Sequence, residues 1–172
     1  MWEKAVCNAS PLIFLAKIQN LEFLNTYEIF IPSQVAKEIL RGLKSKKTDA
    51  KQIIEHFKNN NIKPVEIKPL KDLPQFLGPG EKAVISLAVR ENIKRVFIDE
   101  AKARIVARFK GLNPKGTLGI IWDTYKSGKI DRETTELLAL DLVQKGYRIR
   151  EEVFVEFLKR VKHCSNEIEK IY

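Results

Sequence analysis

Short apolar segments alternate with longer amphipathic stretches along most of this chain, and this alternation constrains the fold more than any other feature. Each longer stretch repeats its apolar residues every three or four positions, which is typical of a helix with one buried face. The alternation predicts an α/β fold with a mostly parallel sheet of four or five strands, covered by helices on both faces. The predicted strands are residues 4–7, 29–31, 65–67, 95–98 and 112–114.

The length of the chain favours one domain. Its 172 residues are enough to bury a substantial core, and no repeat, low-complexity segment or convincing linker divides them. Two amphipathic stretches, at about 132–145 and 151–163, predict helices near the end of the chain. We expect a single domain over residues 1–172, with the helices of about 131–163 packed on it.

The chain is strongly basic. It carries 31 Lys and Arg against 22 Asp and Glu, which gives a net charge of +9. A surplus of this size favours a polyanionic partner such as nucleic acid, or an acidic protein partner. The alternative is an ordinary basic surface that serves no particular partner.

Cysteine content and hydropathy indicate a cytoplasmic protein. Cys7 and Cys164 are far apart and match no metal-binding spacing, which suggests free thiols in a reducing compartment. No apolar run approaches the ~18 residues of a membrane span. The first residues lack the apolar core of a signal peptide, so we expect a cytoplasmic location and no membrane partner.

The stretch from Leu77 to Glu100 contains two acidic points separated by one helix and one strand. A glycine-proline-glycine turn at 78–80 precedes a predicted helix, and Glu81 lies in the first turn of that helix. The strand that follows ends at Asp99 and Glu100. In an open parallel sheet, ligands bind at the carboxyl ends of the strands. The two acidic points are therefore candidates for one site.

Two further residues extend this candidate site. Asn8 follows the first strand, and Glu38 lies on the helix after the second strand. Strand ends and helix starts share one edge of such a sheet, so all these side chains can converge there. A carboxylate cluster needs a counter-ion, and a ligand set made only of oxygen atoms favours Mg²⁺ or Mn²⁺. Such an ion promotes the hydrolysis of a phosphate ester.

Each of these residues, taken alone, also has an ordinary structural explanation. Glu81 can compensate the helix dipole, and Asp99 can cap the helix that follows it. Glu38 can be solvated, Asn8 can be a turn residue, and Arg104 can pair with a neighbouring acid. Only the prediction that all of them lie at one edge of the sheet favours a functional site.

Local signals also suggest where two helices begin and end. Ser10 is a candidate cap for the first helix, with Pro11 at its first helical position. Gly42 is predicted to end the helix that carries Glu38, because glycine is frequent just beyond a helix end.

Five segments, taken in order, resemble a PIN domain over about residues 4–160. They are closest to the VapC-like toxin ribonuclease branch, whose members share an SPLI start, a GxGE helix and a DDxxAR strand end. The resemblance implies a three-layer α/β/α fold and metal-dependent cleavage of RNA by a ribonuclease. It also implies, as partners, a small antitoxin protein and a second copy in a homodimer. The segments are Asn8–Ile18, Ile31–Ile39, Leu77–Val84, Phe97–Arg104 and Gly116–Gly119.

The resemblance also implies which residues bind metal and catalyse. The first acid of the family falls on Asn8, the second on Glu38 and the third on Glu81. The fourth falls on Asp99 or Glu100, because the strand end can be aligned either way. These five residues are the predicted catalytic residues and the predicted ligands of Mg²⁺ or Mn²⁺.

Three more residues match supporting positions of the family. Ser10 matches a small hydroxyl residue that supports the first acid, Thr117 matches a hydroxyl residue near the site, and Arg104 closes the strand-end motif. Asn8 departs from the family pattern, since its amide oxygen is a ligand atom without charge. The sequence therefore predicts a weak or conditional nuclease.

Two other classes of function compete with a nuclease. One is a catalytically silent PIN-like domain that binds nucleic acid or a protein, and this alternative stays open. The other is a nucleotide-binding protein, which is disfavoured because no glycine-rich fingerprint follows the first strand.

Overall fold

The computed structural model describes the backbone of residues 1–169 and the side chains of residues 1–164. This part of the chain forms two compact units, the first spanning Met1–Thr117 and the second beginning at Leu118. The prediction that the last helices pack on the sheet domain stays a prediction. Among the helices of the described residues, none combines the length and the hydrophobicity that a membrane crossing requires.

The first unit contains a five-stranded sheet in which every strand pairs in parallel. The strand order is β3-β2-β1-β4-β5, so the chain runs outward from β1 and then returns to the other side of β1. This reversal makes the carboxyl ends of β1 and β4 the expected ligand-binding edge. The strands are β1 (Glu3–Cys7), β2 (Tyr27–Pro32), β3 (Pro64–Val65), β4 (Arg95–Phe97) and β5 (Asn113–Lys115).

Helices flank this sheet, and the predicted three-layer α/β/α fold is confirmed. The long helix before β4 packs against β1, β2 and β4, and most of its residues from Ala83 to Ala88 are fully buried. This packing places the first turn of the helix near the carboxyl end of β1. The helices of this unit are α1 (Ala9–Lys17), a 3₁₀ helix (Leu21–Thr26), α2 (Ser33–Lys44), α3 (Thr48–Asn59), α4 (Pro79–Arg90) and α5 (Ala101–Phe109).

The register of the strands aligns their carboxyl ends. Cys7 pairs with Phe97, and the backbone N–H of Asn8 donates to the carbonyl of Phe97 at 3.0 Å. The backbone N–H of Ile98 then donates to the carbonyl of Lys115 at 2.8 Å. The residues that directly follow β1, β4 and β5 therefore lie at the same edge of the sheet.

Two of the local predictions are wrong. Helix α1 begins at Ala9 after Asn8, so Ser10 lies inside the helix and its hydroxyl donates to Asp99 instead of capping. Helix α2 continues past Gly42 to Lys44. A Cβ at Gly42 would lie 3.3 Å from Cβ of Ala50, so a close approach of α3 explains this glycine.

The second unit is helical. It contains α6 (Thr117–Lys126, whose first residue closes the first unit), α7 (Arg132–Gln144) and α8 (Glu151–Glu169). The hydroxyl of Tyr125 donates to the carbonyl of Val161 at 3.2 Å and joins α6 to α8. Trp122 meets the ring of Phe157 edge-on, with 6.2 Å between the ring centroids. Aromatic packing thus holds α6 and α8 together.

Candidate active site

Asn8 has a buried side chain whose amide oxygen lacks a partner. It directly follows β1, and its side chain is 8% exposed. Within the described part of the chain, its Oδ1 atom accepts no hydrogen bond. An unpaired carbonyl oxygen in such a place costs about 1–3 kcal/mol of folding free energy. The atom is therefore well suited to contact a ligand.

Glu38, which belongs to α2, lies close to this amide oxygen. Both side chains lie beside the first turn of α4. A Cβ added at Gly80 would lie 3.0 Å from Oδ1 of Asn8 and 3.4 Å from Oε2 of Glu38. The end of β1, helix α2 and the start of α4 therefore meet at one point. Because Gly80 has no side chain, two oxygen atoms from different elements face the same small space.

Glu81 belongs to the same neighbourhood. Its Oε2 atom accepts the backbone N–H of Gly78 at 2.9 Å, which holds the carboxylate over the start of α4. Burial raises the pKa of Glu81 above its usual value, against the lowering effect of the Gly78 hydrogen bond, and the charges of Glu100 and Glu38 raise it further. Its ionised form is thus destabilised by two nearby carboxylates, and a cation would relieve that repulsion.

Asp99 is held by hydroxyl and amide donors. Its Oδ2 accepts the hydroxyls of Ser10 at 2.7 Å and Thr117 at 2.8 Å, and its Oδ1 accepts the backbone N–H of Thr117 at 2.7 Å. These bonds connect Asp99, the second residue after β4, to α1 and to Thr117, the second residue after β5. The alternative in which Asp99 caps the next helix is wrong, since Glu100 occupies the position before α5.

Arg104 fixes the backbone beside these acids. Its Nη1 atom donates to the carbonyl oxygens of Ile98, at 3.3 Å, and Asp99. These bonds tie α5 to the strand end that carries Asp99 and Glu100. Arg104 is therefore placed to position the acidic pair through the backbone.

The structure thus brings the predicted residues together in two groups. Asn8, Glu38 and Glu81 gather around Gly80, with Glu100 close enough to act on Glu81. In the second group, Ser10 and Thr117 donate to the carboxylate of Asp99, and Arg104 donates to its backbone carbonyl. Sequence reasoning missed Gly80, although the glycine pair before Glu81 was the available signal.

The fit of a metal ion depends on the amide oxygen of Asn8. Among the described residues, no three His, Cys, Asp or Glu side chains form a group that could hold a metal ion. Glu81 is bonded back to Gly78, and Asp99 is bonded to Ser10 and Thr117, so protein donors occupy three of these four carboxylate oxygens. The orphaned Oδ1 atom, the space at Gly80 and the oxygen-only donors nonetheless fit a hard divalent cation.

The network around Asp99 makes a testable prediction. Thr117→Val removes one hydroxyl bond to Asp99 while keeping the backbone N–H bond and nearly the same volume. We expect about a tenfold loss of Mn²⁺ affinity, which is typical when a residue that supports a metal ligand is removed. Titration calorimetry measures this loss, and Thr117→Ser, which keeps the hydroxyl, is the control. Equal affinity in all three proteins would show that the network serves folding alone.

Comparison with known proteins identifies a family. The family model DUF3368, described as a PIN domain, matches residues 4–163. No curated protein and no solved structure matches the chain significantly. The matched region contains all the residues of the two groups.

Proposed function

The chain belongs to the PIN domain family, and on that premise we propose that it is a metal-dependent endoribonuclease that hydrolyses RNA phosphodiester bonds. PIN domains are generally nucleases and usually use divalent metals. The observation that carries the proposal is the unpaired Oδ1 of Asn8, which faces Oε2 of Glu38 across the space at Gly80. A buried amide oxygen without a donor, which shares this space with the carboxylate of the exposed Glu38, is explained best by a cation that both oxygen atoms contact.

Asn8 and Glu38 would hold the metal, and the charges of Glu81 and of Asp99 or Glu100 would complete its acidic surroundings. When bound, Mg²⁺ or Mn²⁺ stabilises the charge that develops on the phosphate and promotes the attack of water. Asp99 keeps its orientation through Ser10 and Thr117. Because Asn8 supplies no charge, we expect weaker metal binding than an aspartate would give at this position.

Glu81 is suited to accept a proton from the attacking water. Its Oε2 atom is engaged by Gly78, so Oε1 is the atom that would take the proton. Burial and the neighbouring carboxylates raise its pKa, which makes it a stronger base than an exposed glutamate. Glu81 therefore combines proton transfer with a position beside the shared oxygen atoms of Asn8 and Glu38.

The distribution of charge favours an anionic substrate near this site. Residues 118–172 carry equal numbers of acidic and basic residues, so the whole surplus of +9 lies in residues 1–117. Lys and Arg neutralise phosphates and release counterions, which strengthens nucleic-acid binding at low salt. The unit that contains the candidate site is therefore the unit expected to attract RNA.

Two finer roles rest on the resemblance to the toxin branch. A small antitoxin would hold the nuclease inactive, and two copies would form a homodimer. A second candidate function is a binding module that does not cut RNA. The uncharged Asn8 favours this alternative, because the site has one carboxylate fewer than the family pattern.

Cleavage and binding assays distinguish the nuclease from the binding module. We expect the protein to cut single-stranded RNA in the presence of Mn²⁺ or Mg²⁺ and to stop when the metal is chelated. A module that only binds would keep its affinity for RNA when the metal is chelated, and this affinity would fall steeply as the salt concentration rises. It would cut no RNA at any metal concentration. The last result would contradict the proposal.

The raised pKa of Glu81 predicts how stability depends on pH. The folded protein holds this proton more tightly than the unfolded chain, so without metal the ionised Glu81 destabilises the fold above its folded-state pKa. As pH falls through that pKa, this penalty disappears. We expect Glu81→Gln to melt at a higher temperature than the wild type at neutral pH, with a difference that shrinks toward about pH 4. A difference that does not change with pH would contradict this.

A further inference from the structure

The second unit contains a basic groove that the candidate active site does not use. Helices α6 and α8 line an open groove of about 530 Å³, within the range of small-molecule sites. We name it the α6–α8 groove. Its lining residues are Trp122, Lys126, Glu156, Lys159, Arg160, His163 and Cys164.

Basic side chains lie along an otherwise largely apolar α6–α8 groove. Lys126, Lys159 and Arg160 are exposed, and Glu156 is the one acidic residue among the described side chains that line the groove. Glu156 pairs with Arg160 at 3.2 Å, but both side chains are more than half exposed, so the pair is weak and can open for a phosphate. The groove is thus a local positive patch in a unit whose formal charge is balanced.

An aromatic ring forms part of the same lining. Trp122 is partly exposed, and its ring is braced by Phe157 at 6.2 Å and Tyr125 at 5.8 Å between centroids. The ammonium group of Lys126 lies 5.8 Å from the Trp122 ring centroid. The ring is therefore fixed in place beside a cation, which also donates to Sγ of Cys164 at 3.7 Å.

We propose that the α6–α8 groove binds a segment of single-stranded RNA, with a base stacked on Trp122 and phosphates on Lys126, Lys159 and Arg160. Fixed aromatic rings combined with a basic groove are the features by which proteins bind single strands without reading their sequence. The choice of RNA rests on the proposed function. A segment bound in the groove would contribute affinity for RNA through stacking and phosphate contacts.

Tryptophan fluorescence tests this proposal. In a Trp2→Phe background, Trp122 is the remaining tryptophan. We expect a short oligouridylate, added in the presence of a metal chelator, to quench its emission with saturation. Lys159→Ala combined with Arg160→Ala should weaken binding by roughly tenfold or more at low salt, because two phosphate contacts are lost. The control, Lys145→Ala with Arg148→Ala, removes the same charges from exposed positions outside the groove and should bind as the parent does.

Three results would overturn the proposal: no quenching, equal affinity in the groove variant and its control, or equal quenching by polyglutamate. The last result would indicate an acidic protein partner. Cleavage with Mn²⁺ is measured on the same proteins. Quenching without cleavage would support RNA binding in the groove and contradict the nuclease proposal. Cleavage without quenching would support the nuclease proposal and contradict RNA binding in the groove.

Discussion

Replacing Glu81 with glutamine is expected to reduce RNA cleavage by about a hundredfold or more, the usual effect of removing a general base. Glutamine keeps an oxygen that can accept the N–H of Gly78, so the start of α4 should be preserved. It removes the charge and the proton acceptor beside Glu38 and Glu100. The folded state should therefore remain intact while the chemistry is lost.

Cleavage rates of purified proteins measure this effect. Glu55→Gln is the matched control, because it makes the same change on an exposed position of α3 and should cut at the wild-type rate. Circular dichroism verifies that both variants fold. Wild-type cleavage by Glu81→Gln would exclude Glu81 as the base.

Adding one methyl group at Gly80 is expected to have the second largest effect. The Cβ of Gly80→Ala would lie 3.0 Å from Oδ1 of Asn8 and 3.4 Å from Oε2 of Glu38, which fills the space that the two oxygen atoms share. We expect about a 10- to 100-fold loss of Mn²⁺ affinity, the range seen when the surroundings of metal ligands are disturbed. Cleavage should fall with it.

Gly78→Ala is the control for this change. Its Cβ would meet Oε2 of Glu81 at 3.7 Å, an ordinary van der Waals contact, and Gly78 has a backbone conformation that alanine adopts readily. Calorimetric titration of Mn²⁺ compares the two variants, and melting curves measure their stability. If Gly80→Ala bound Mn²⁺ as tightly as Gly78→Ala does, the space at Gly80 would not be the metal site.

The sheet could be predicted from sequence because its signals are local. The apolar segments around Val6, Phe30 and Val96 lie in β1, β2 and β4, and the helices between them follow their apolar periodicity. Strand β3 is short and includes Pro64, which lacks the N–H of a regular ladder. The predicted strand at residues 65–67 is only partly present, because β2 ends at Pro32, the partner of Val65.

Distant contacts account for what the sequence did not predict. Ser10 follows the local pattern of a cap, but Asp99 lies 89 residues away in the chain and accepts its hydroxyl. Gly42 follows the local pattern of a helix end, but it serves the approach of Ala50 from α3. The space at Gly80 likewise exists only because α2, α4 and the end of β1 meet there. Local propensity does not report such tertiary contacts.

The most direct test of the nuclease proposal is calorimetric titration of Mn²⁺ into the wild type, Asn8→Asp and Glu81→Gln. We expect the wild type to bind one ion, Asn8→Asp to bind it more tightly because it adds a charge, and Glu81→Gln to bind it more weakly than either. No binding by any of the three proteins would show that these oxygen atoms meet for structural reasons alone, and would contradict a metal-dependent nuclease.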